Sequence, residues 1–494
     1  MLTRIRVRGF KNLRDVEVRF GAFTCIAGTN AVGKSNLFDA ILFLGSLASK
    51  PCLEAALSVR DKTGRFSDLE SLFSFDNHDS KRQVSLEADL LLPRSAVDDL
   101  GQTAIPKIYF VTYSVTLELV ESTSDVLQPS LRIVEESLHY IQTTSASKRL
   151  GRWQTKAWLR SVVSGRRTSP FISTKRGSGK STIRLHQDGR SGRNRDFRGD
   201  TLPRTVLSTV NAIESPTALV ARREMQSWSL LALEPSALRS PDTYSSPSKL
   251  GADGSHLPAT LYALQRSAEA QEHPALRRDY SGMVGARLAE LVEDVAGIAV
   301  ERDDRRELLT LFVQDTVGGR HPARALSDGT LRFIALSVLE ADPRAGGVLC
   351  FEEPENGIHP ARIPAMIRLL RDLAVDPRQP VDRDNPLRQV IVNTHSPAVI
   401  GQVPSDSLLF AERVNAVVDG VRVQNVVFRP VEGSWRSEMD GAPEPVQKGA
   451  IISYLNPTRQ LPTNVGSSFE RLVDRPDIAQ LLFWPPTTTE ERAE

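Results

Sequence analysis

Eight residues, Gly28-Thr29-Asn30-Ala31-Val32-Gly33-Lys34-Ser35, constrain the fold of this chain more than any other segment. They satisfy the pattern G-x-x-x-x-G-K-[ST] in full. They also lie between an apolar run, Ala22–Ala27, and a stretch in which Leu37, Ala40, Ile41 and Leu44 recur at helical spacing. A glycine loop between a buried strand and a helix start turns backbone N–H groups and the positive helix end toward one point, where phosphate oxygens fit. Gly28, Asn30 and Gly33 are the expected cradle, Lys34 the group that reaches the β- and γ-phosphates, and Ser35 a magnesium ligand. A second string, RGSGKST at Arg176–Thr182, ends in the same GKS. It has Thr174 where the first glycine belongs, no apolar strand before it and strand-like alternation after it, so it reads as a basic hairpin tip.

Four apolar residues, Val348–Phe351, run straight into Glu352 and Glu353. This places two carboxylates at the carboxyl end of a buried strand, where the ligand crevice of an open α/β sheet lies. Glu352 is expected to orient a metal directly or through its waters, and Glu353 to align and polarise an attacking water. A strand ending in a polar turn would leave the same string, but it predicts no phosphate loop elsewhere. Two further strings say little alone. In Ala325–Phe333, ALSDGTLRF, Ser327 and Gly329 begin a helix, as an ordinary N-cap does. His395 stands just past the strand-like Val390–Val392, and a lone histidine is usually structural.

The remaining pattern predicts an α/β fold. Leu2–Arg8 and Val16–Phe20 alternate as half-buried strands, and Val84–Leu92, Ile108–Val120 and Leu131–Ile141 suggest an antiparallel sheet. A mostly helical stretch over 205–297 contains the strand-like Trp228–Leu233. The final third alternates strand and helix: Leu308–Val313, the helix carrying Leu331, Ile334, Ala335, Val338 and Leu339, then Gly347–Phe351, the helix of Ile363, Met366, Ile367 and Leu370, and Val390–Val392. Such alternation predicts a mainly parallel sheet with helices on both faces, to which an antiparallel β subdomain and a helical insertion are added. The expected divisions are 1–82 and 301–415 for the two parts of the nucleotide-binding domain, 83–204 for the β subdomain, 205–300 for the helical insertion and 416–494 for an extension ending in a loosely held tail.

Composition excludes several classes. A chain of 494 residues with 40% hydrophobic and 25% charged residues is neither collagen-like, coiled-coil nor wholly disordered. No apolar window approaches 18 residues and no signal-peptide pattern follows the first residues, so a cytoplasmic protein without membrane partners is expected. Cys25, Cys52 and Cys350 are too far apart and too apolar in setting for a disulfide or zinc framework. The net charge of +2 conceals an asymmetry, because residues 148–204 hold 12 Arg and 4 Lys against 3 Asp, a local +13 that leaves −11 elsewhere. A block of this sign could track a phosphate backbone, hold a protein partner or be a solvated insertion.

Taken in order, the four motifs resemble those of the ATP-binding-cassette ATPases, in the branch shared by SMC, RecF and overcoming-lysogenisation-defect proteins. The strings EEPENGIHP and THSP are most similar to predicted single-chain bacterial AAA-family ATPases, including the ATPase subunits of Septu-type and PARIS-type phage-defence systems. The opening RVRGFKNLRDVEVRF is also similar to this branch, and the resemblance covers roughly residues 1–50 and 320–415. It implies that Gly28–Ser35 is the Walker A motif, Leu326–Gly329 the signature, Glu352-Glu353 the Walker B end, Glu355–Gly357 the D-loop region and His395 the switch histidine. It also implies ATP and magnesium as cofactors and a homodimer that sandwiches two ATP molecules, with Ser327 and Gly329 of one subunit meeting the γ-phosphate held by Lys34 of the other. His395 would contact that phosphate.

The sequence departs from the pattern at Asp328, where the signature usually has a second glycine, and at Glu352, where Asp is commoner. No glutamine can be placed in a Q-loop, no heptads form an arm, and the aromatic that stacks on adenine is not assignable, Phe10 being only a candidate. The relatives' Toprim nuclease needs a D-x-D pair that is missing after His395, and no histidine follows His395 to build an HNH site. The resemblance thus implies an ATPase without its own nuclease that gates a separately encoded effector, possibly a nuclease, with 148–204 sensing nucleic acid or holding the partner. The alternative is a RecF-like DNA-binding ATPase with no effector. A transporter subunit fits poorly, since 292 residues separate Ser35 from Ser327.

Overall fold

In the computed structural model, which describes residues 1–59, 69–74, 82–120, 130–177, 180–188, 193–271, 278–418 and 421–455, the strand Leu2–Phe10 pairs antiparallel with Leu13–Arg19 on one side and Gln83–Leu91 on the other. The sheet continues through Phe110–Val120, Ser130–Tyr140, Ile172–Gly177 and Lys180–Leu185 to the edge strand Arg195–Arg198. Alternation gives it one apolar face, on which Ile5, Val7, Leu86, Val115, Ile133 and Ile183 are buried. The refused phosphate-loop string lies in the Ile172–Gly177 and Lys180–Leu185 hairpin, where Gly177 pairs with Lys180; its tip and the carboxyl-terminal tail lie outside the described residues.

A second sheet runs Ser229–Leu231, Gly347–Glu352, Arg388–Thr394, Phe23–Ala27, Leu408–Val418, Val421–Pro430. Its first five strands are parallel, and the last closes the edge antiparallel. Successive residues of the central strands enter different cores, as the pleat requires. Ile26, Val348, Cys350 and Ile391 meet the helix Lys34–Leu47, whose Leu37, Phe38, Ile41 and Leu44 also pack under the antiparallel sheet. Leu349, Phe351, Val390 and Val392 meet the helices Asp328–Ala341 and Ile363–Leu373. This is the α/β P-loop NTPase arrangement, a mainly parallel sheet covered on both faces. Among the described residues no helix is long and apolar enough to cross a membrane.

Two buried side chains fix the helices that carry the motifs. Arg388 caps the helix Asp328–Ala341 and the turn after it, donating to the carbonyl oxygens of Leu339, Asp342 and Ala345 at 3.2, 2.8 and 2.7 Å. Glu136 accepts the N–H groups of Val206 and Leu207 at 2.7 and 2.8 Å, while Thr205 Oγ1 donates to Leu47 O at 2.8 Å, so this turn joins the antiparallel sheet to the end of the helix that starts at Lys34.

Burial pushes the Glu136 carboxyl up to about 7, against the two N–H groups and the Tyr113 hydroxyl that favour its ionised form. The folded chain therefore holds a proton that the unfolded chain loses near its ordinary carboxylate range, and this contribution to stability, present in full below that range, disappears as pH rises through about 7. The shift corresponds to about 3 kcal/mol at most. Glu136→Gln is expected to flatten the decline of unfolding free energy between about pH 4.5 and 7. Urea titrations of both proteins across that window check it, and parallel curves would remove Glu136 as the source.

Candidate active site

Backbone constraints shape the loop that opens the site. Phe23–Ala27 is buried throughout, and its end turns through Gly28–Gly33 into the helix at Lys34. Gly33 has φ +121°, and a Cβ there would stand 2.7 Å from Asn12 Nδ2. At Gly28 a Cβ would stand 2.7 Å from the carbonyl oxygen of Ala411 on the neighbouring strand. The loop is braced from outside: Asn12 Nδ2 donates to Val32 O at 3.3 Å, Asn36 Nδ2 donates to Asn12 Oδ1 at 2.8 Å, and Arg413 donates to Ala31 O.

Lys34 is buried, and its Nζ donates to the carbonyl oxygens of Gly28 and Thr29 at 2.7 and 2.8 Å. Burial draws its ammonium below the ordinary range, against the nearby charges of Glu353, Glu355 and Glu352. The Lys34 ammonium and the three carboxylates thus share one electrostatic neighbourhood. Lys34, Ser35, Glu352 and Glu353 line a cleft of about 450 Å³ together with Asn30, Gly33, Asn356 and Asn393.

Glu352 ends its strand, and Glu353 follows at φ +44°, a left-handed conformation uncommon for a residue with a side chain. Asn393 holds it there: the Glu353 N–H donates to both the carbonyl oxygen and Oδ1 of Asn393 at 3.1 Å, and Asn393 Nδ2 donates to Glu352 Oε1 at 3.4 Å. Both carboxylate oxygens of Glu353 are engaged, Oε1 with His395 Nδ1 at 2.7 Å and Oε2 with Asn356 Nδ2 at 3.0 Å. Burial alone would raise this carboxyl; Asn356, His395 and the charge of Lys34 outweigh it and hold Glu353 below the usual carboxylate range. It is therefore an ionised acceptor at neutral pH, and His395 presents Nδ1–H to it. Glu355 is buried nearby, raised by that burial, with Thr394 Oγ1 donating to its Oε1.

The donor set suits a nucleoside triphosphate with a hard cation. Glycine backbone at a 14-residue helix's start and the buried ammonium answer phosphate oxygens, while the Ser35 hydroxyl and Glu352 carboxylate are oxygen ligands of the kind magnesium takes beside substrate phosphates.

Ser327 and Gly329 are elsewhere. Ser327 caps the helix Asp328–Ala341, its Oγ accepting from Thr330 N at 3.2 Å, and Asp328 pairs with Arg239. Ser327 and Gly329 line a different cavity, of about 890 Å³, with Gly357, Ile358 and His359. Within one chain the structure brings Lys34, Ser35, Glu352, Glu353 and His395 together and leaves Ser327 and Gly329 apart. Phe10 is corrected: it is fully buried and stacks on Phe43 of the Lys34–Leu47 helix at 5.8 Å, so it belongs to the core and meets no base. Asn12, Asn356 and Asn393 were not singled out in the sequence. Asn356 and Asn393 stand inside the two acidic and histidine strings, where spacing alone gives an amide no role.

The basic stretch folds into the helices Thr143–Leu150 and Lys156–Val162 and three strands, which distributes its charge. Much of that charge is answered by acids from outside or within it: Arg149 pairs with Asp89, Arg167 with Asp188, Arg176 with Glu135, Arg184 with Asp196, Arg195 with Glu214 and Arg198 with Asp200. Asp188, Asp196 and Asp200 are already counted in the local +13, so only the acids from outside the stretch, Asp89, Glu135, Glu214, Asp440 on Lys148 and Glu438 on Arg152, lower it, by five to +8. Lys156, Arg160, Arg166, Lys175 and Arg193 are the exposed cations there for which the described residues offer no such acid.

Residues 224–401 match the model of a family described as "AAA domain, putative AbiEii toxin, Type IV TA system". The matched segment holds the Ser327, Glu352-Glu353 and His395 strings and stops short of the Gly28–Ser35 loop. No curated protein matches the chain. Among solved structures the chain is similar to an Smc head bound to the C-winged helix domain of ScpA (14% identity, covering 87% of this chain and 98% of that one, TM-score 0.42). It is also similar to an Smc head with an extended coiled coil bound to the C-terminal domain of ScpA from Pyrococcus furiosus (13%, 87% and 96%, TM-score 0.40). A third is the SMC head domain from Thermotoga maritima (13%, 87% and 99%, TM-score 0.33).

Proposed function

We propose that this chain is an ATP-hydrolysing switch that dimerises around ATP and acts through a separately encoded effector. The observation that carries the reading is the division of the motifs: the phosphate loop and the two glutamates line one cleft, with His395 bonded to Glu353 behind it, while Ser327 and Gly329 line another. A hydroxyl and N–H groups at a helix start form an anion site too weak alone, but able to meet the last phosphate from across an interface. Lys34 gives up its two loop carbonyls to bind the β- and γ-phosphates, Ser35 and Glu352 would hold magnesium, and Glu353 orients the attacking water. His395 steadies Glu353 and contacts the γ-phosphate. Magnesium held there would supply positive charge beside the phosphate oxygens.

A mixing experiment tests the dimer. Lys34→Ala and Ser327→Arg chains are each expected to lack turnover, and mixing them should restore it, because in a mixed dimer both defects fall in one composite site and the other is intact. Failure of the mixture to recover, with both chains folded, would mean that hydrolysis is completed within one subunit. The effector is sought by purifying the Glu353→Gln chain with ATP and magnesium from its own cells. A stoichiometric protein supports gating, whereas nucleic acid alone, released by salt, supports the RecF-like alternative.

A further inference from the structure

A cavity of about 670 Å³ lies at the end of the parallel sheet opposite to the nucleotide cleft. Phe23, Asn385 and Ser407 stand in its wall, at or just before the amino ends of the strands Phe23–Ala27, Arg388–Thr394 and Leu408–Val418. The phosphate loop follows the other end of Phe23–Ala27, roughly 15 Å away along the strand. Trp153, Trp435 and the loop after the helix Ile363–Leu373 complete the wall. Hydrogen bonds tie these segments together: the Thr155 N–H donates to Pro377 O, Asn385 Nδ2 to Asp376 O and the Trp435 N–H to Asp406 Oδ1, each at 3.0 Å. The cavity therefore has a fixed shape, and its volume is that of a small-molecule pocket.

Charge on the wall sets the sign of what it would hold. Its aspartates are answered: Asp372 pairs with Arg287, Asp376 with Arg378 and Asp384 with Arg278, while Asp406 accepts from Trp435 and its charge acts on the buried Arg436 guanidinium. Its arginines are not all answered. Arg152 reaches Glu438 only at 3.6 Å with both side chains exposed, and Arg371 has no acid within ion-pair distance among the described residues. Trp153 adds an unmet donor, because its Nε1 is buried without a partner among the described residues, and an acceptor brought by a ligand would remove that cost. Its ring centroid lies 5.0 Å from that of Trp158 and 6.4 Å from that of Trp435, so this donor is set in an aromatic wall.

We propose that this cavity binds a planar aromatic anion, with its ring against Trp153 and Trp435, its phosphate or carboxylate on Arg371 and an acceptor for the Trp153 N–H. An open guanidinium fork matches either anion with two parallel hydrogen bonds. The site shares no lining residue with the nucleotide cleft and does not depend on the ATPase reading.

Calorimetric titration of the full chain tests it. The probes are AMP, GMP, CMP and UMP as aromatic phosphates, indole-3-acetate as an aromatic carboxylate and inorganic phosphate as an anion without a ring. At least one of the five aromatic probes is expected to bind with a Kd tighter than about 1 mM, and which kind binds tells phosphate from carboxylate. Arg371→Gln takes an exposed guanidinium from the wall, and Trp153→Phe keeps a ring and removes the N–H. Each is expected to weaken binding about tenfold, the factor that a hydrogen bond to a charged group carries. Lys34→Ala should bind the probe as the wild type does; loss of binding there would place the probe in the nucleotide cleft and overturn the inference. Inorganic phosphate binding as tightly as the best aromatic probe would overturn it too, as would wild-type affinity in both wall variants or no saturable binding by any of the five. ATP turnover, measured apart, decides the ATPase reading whichever way these titrations fall.

Discussion

Glu353→Gln is expected to lower ATP turnover at least about a hundredfold, the low end of what a positioned general base supplies, and to leave ATP trapped between two chains. Gln has the shape of Glu, and its amide oxygen can still accept from Asn356 or His395, so the turn at φ +44° and the Asn393 clamp on its backbone are retained. What is lost is a negative charge facing the cleft, and with it the group that aligns and polarises water. Binding should be retained or strengthened, because removing one carboxylate near Lys34 lessens the repulsion that bound phosphates meet. Turnover of purified protein gives the first reading and molar mass with ATP and magnesium the second: the variant should be a dimer under conditions in which the wild type returns to monomer. A variant that turned over at the wild-type rate would remove Glu353 from its assigned part and point to Glu352 or Glu355 as the acid next to water.

The parts of this site that could be read from the sequence are those in which local chemistry and chain order coincide. Gly28–Ser35 announces itself because the loop, the strand before it and the helix after it are contiguous, and the buried Val348–Phe351 run fixes where Glu352 and Glu353 must emerge. The alternation at Val84–Leu92, Ile108–Val120 and Leu131–Ile141 likewise corresponds to paired strands of one antiparallel sheet. What could not be read depends on residues far apart in the chain. Asn12 braces the phosphate loop only because the strands Leu2–Phe10 and Leu13–Arg19 return their turn to it. Phe10 illustrates the reverse error: an aromatic near a phosphate loop in sequence is drawn as a base platform, yet the pleat turns it onto Phe43. Charge shows the same limit. Residues 148–204 look like a bare cationic run until Asp89, Glu135 and Glu214 arrive from other segments.

Lys34→Ala is expected to abolish ATP binding without unfolding the chain, and the structure gives reasons for both halves. Lys34 is the buried cation at the cleft, and three carboxylates, Glu352, Glu353 and Glu355, lie close enough to act on its charge. Without it, a triphosphate would enter beside these acids with only backbone N–H groups and magnesium to offset them, and an affinity loss of about a hundredfold or more follows from losing one charge-assisted contact of about 3 kcal/mol in such a setting. The fold should survive because the ammonium contributes little net stability: its burial works against its bonds to the Gly28 and Thr29 carbonyl oxygens, and the same loop remains braced by Asn12 and Arg413. Thermal unfolding with and without ATP and magnesium separates the two effects. The wild-type midpoint should rise with ligand, as mass action requires of anything that binds only the folded state, and the variant should unfold near the ligand-free wild-type temperature and not respond. A variant whose midpoint rose with ATP as the wild type's does would show that the nucleotide is held somewhere other than Gly28–Ser35, and the division of labour between the two cavities would then have to be redrawn from the Ser327 side.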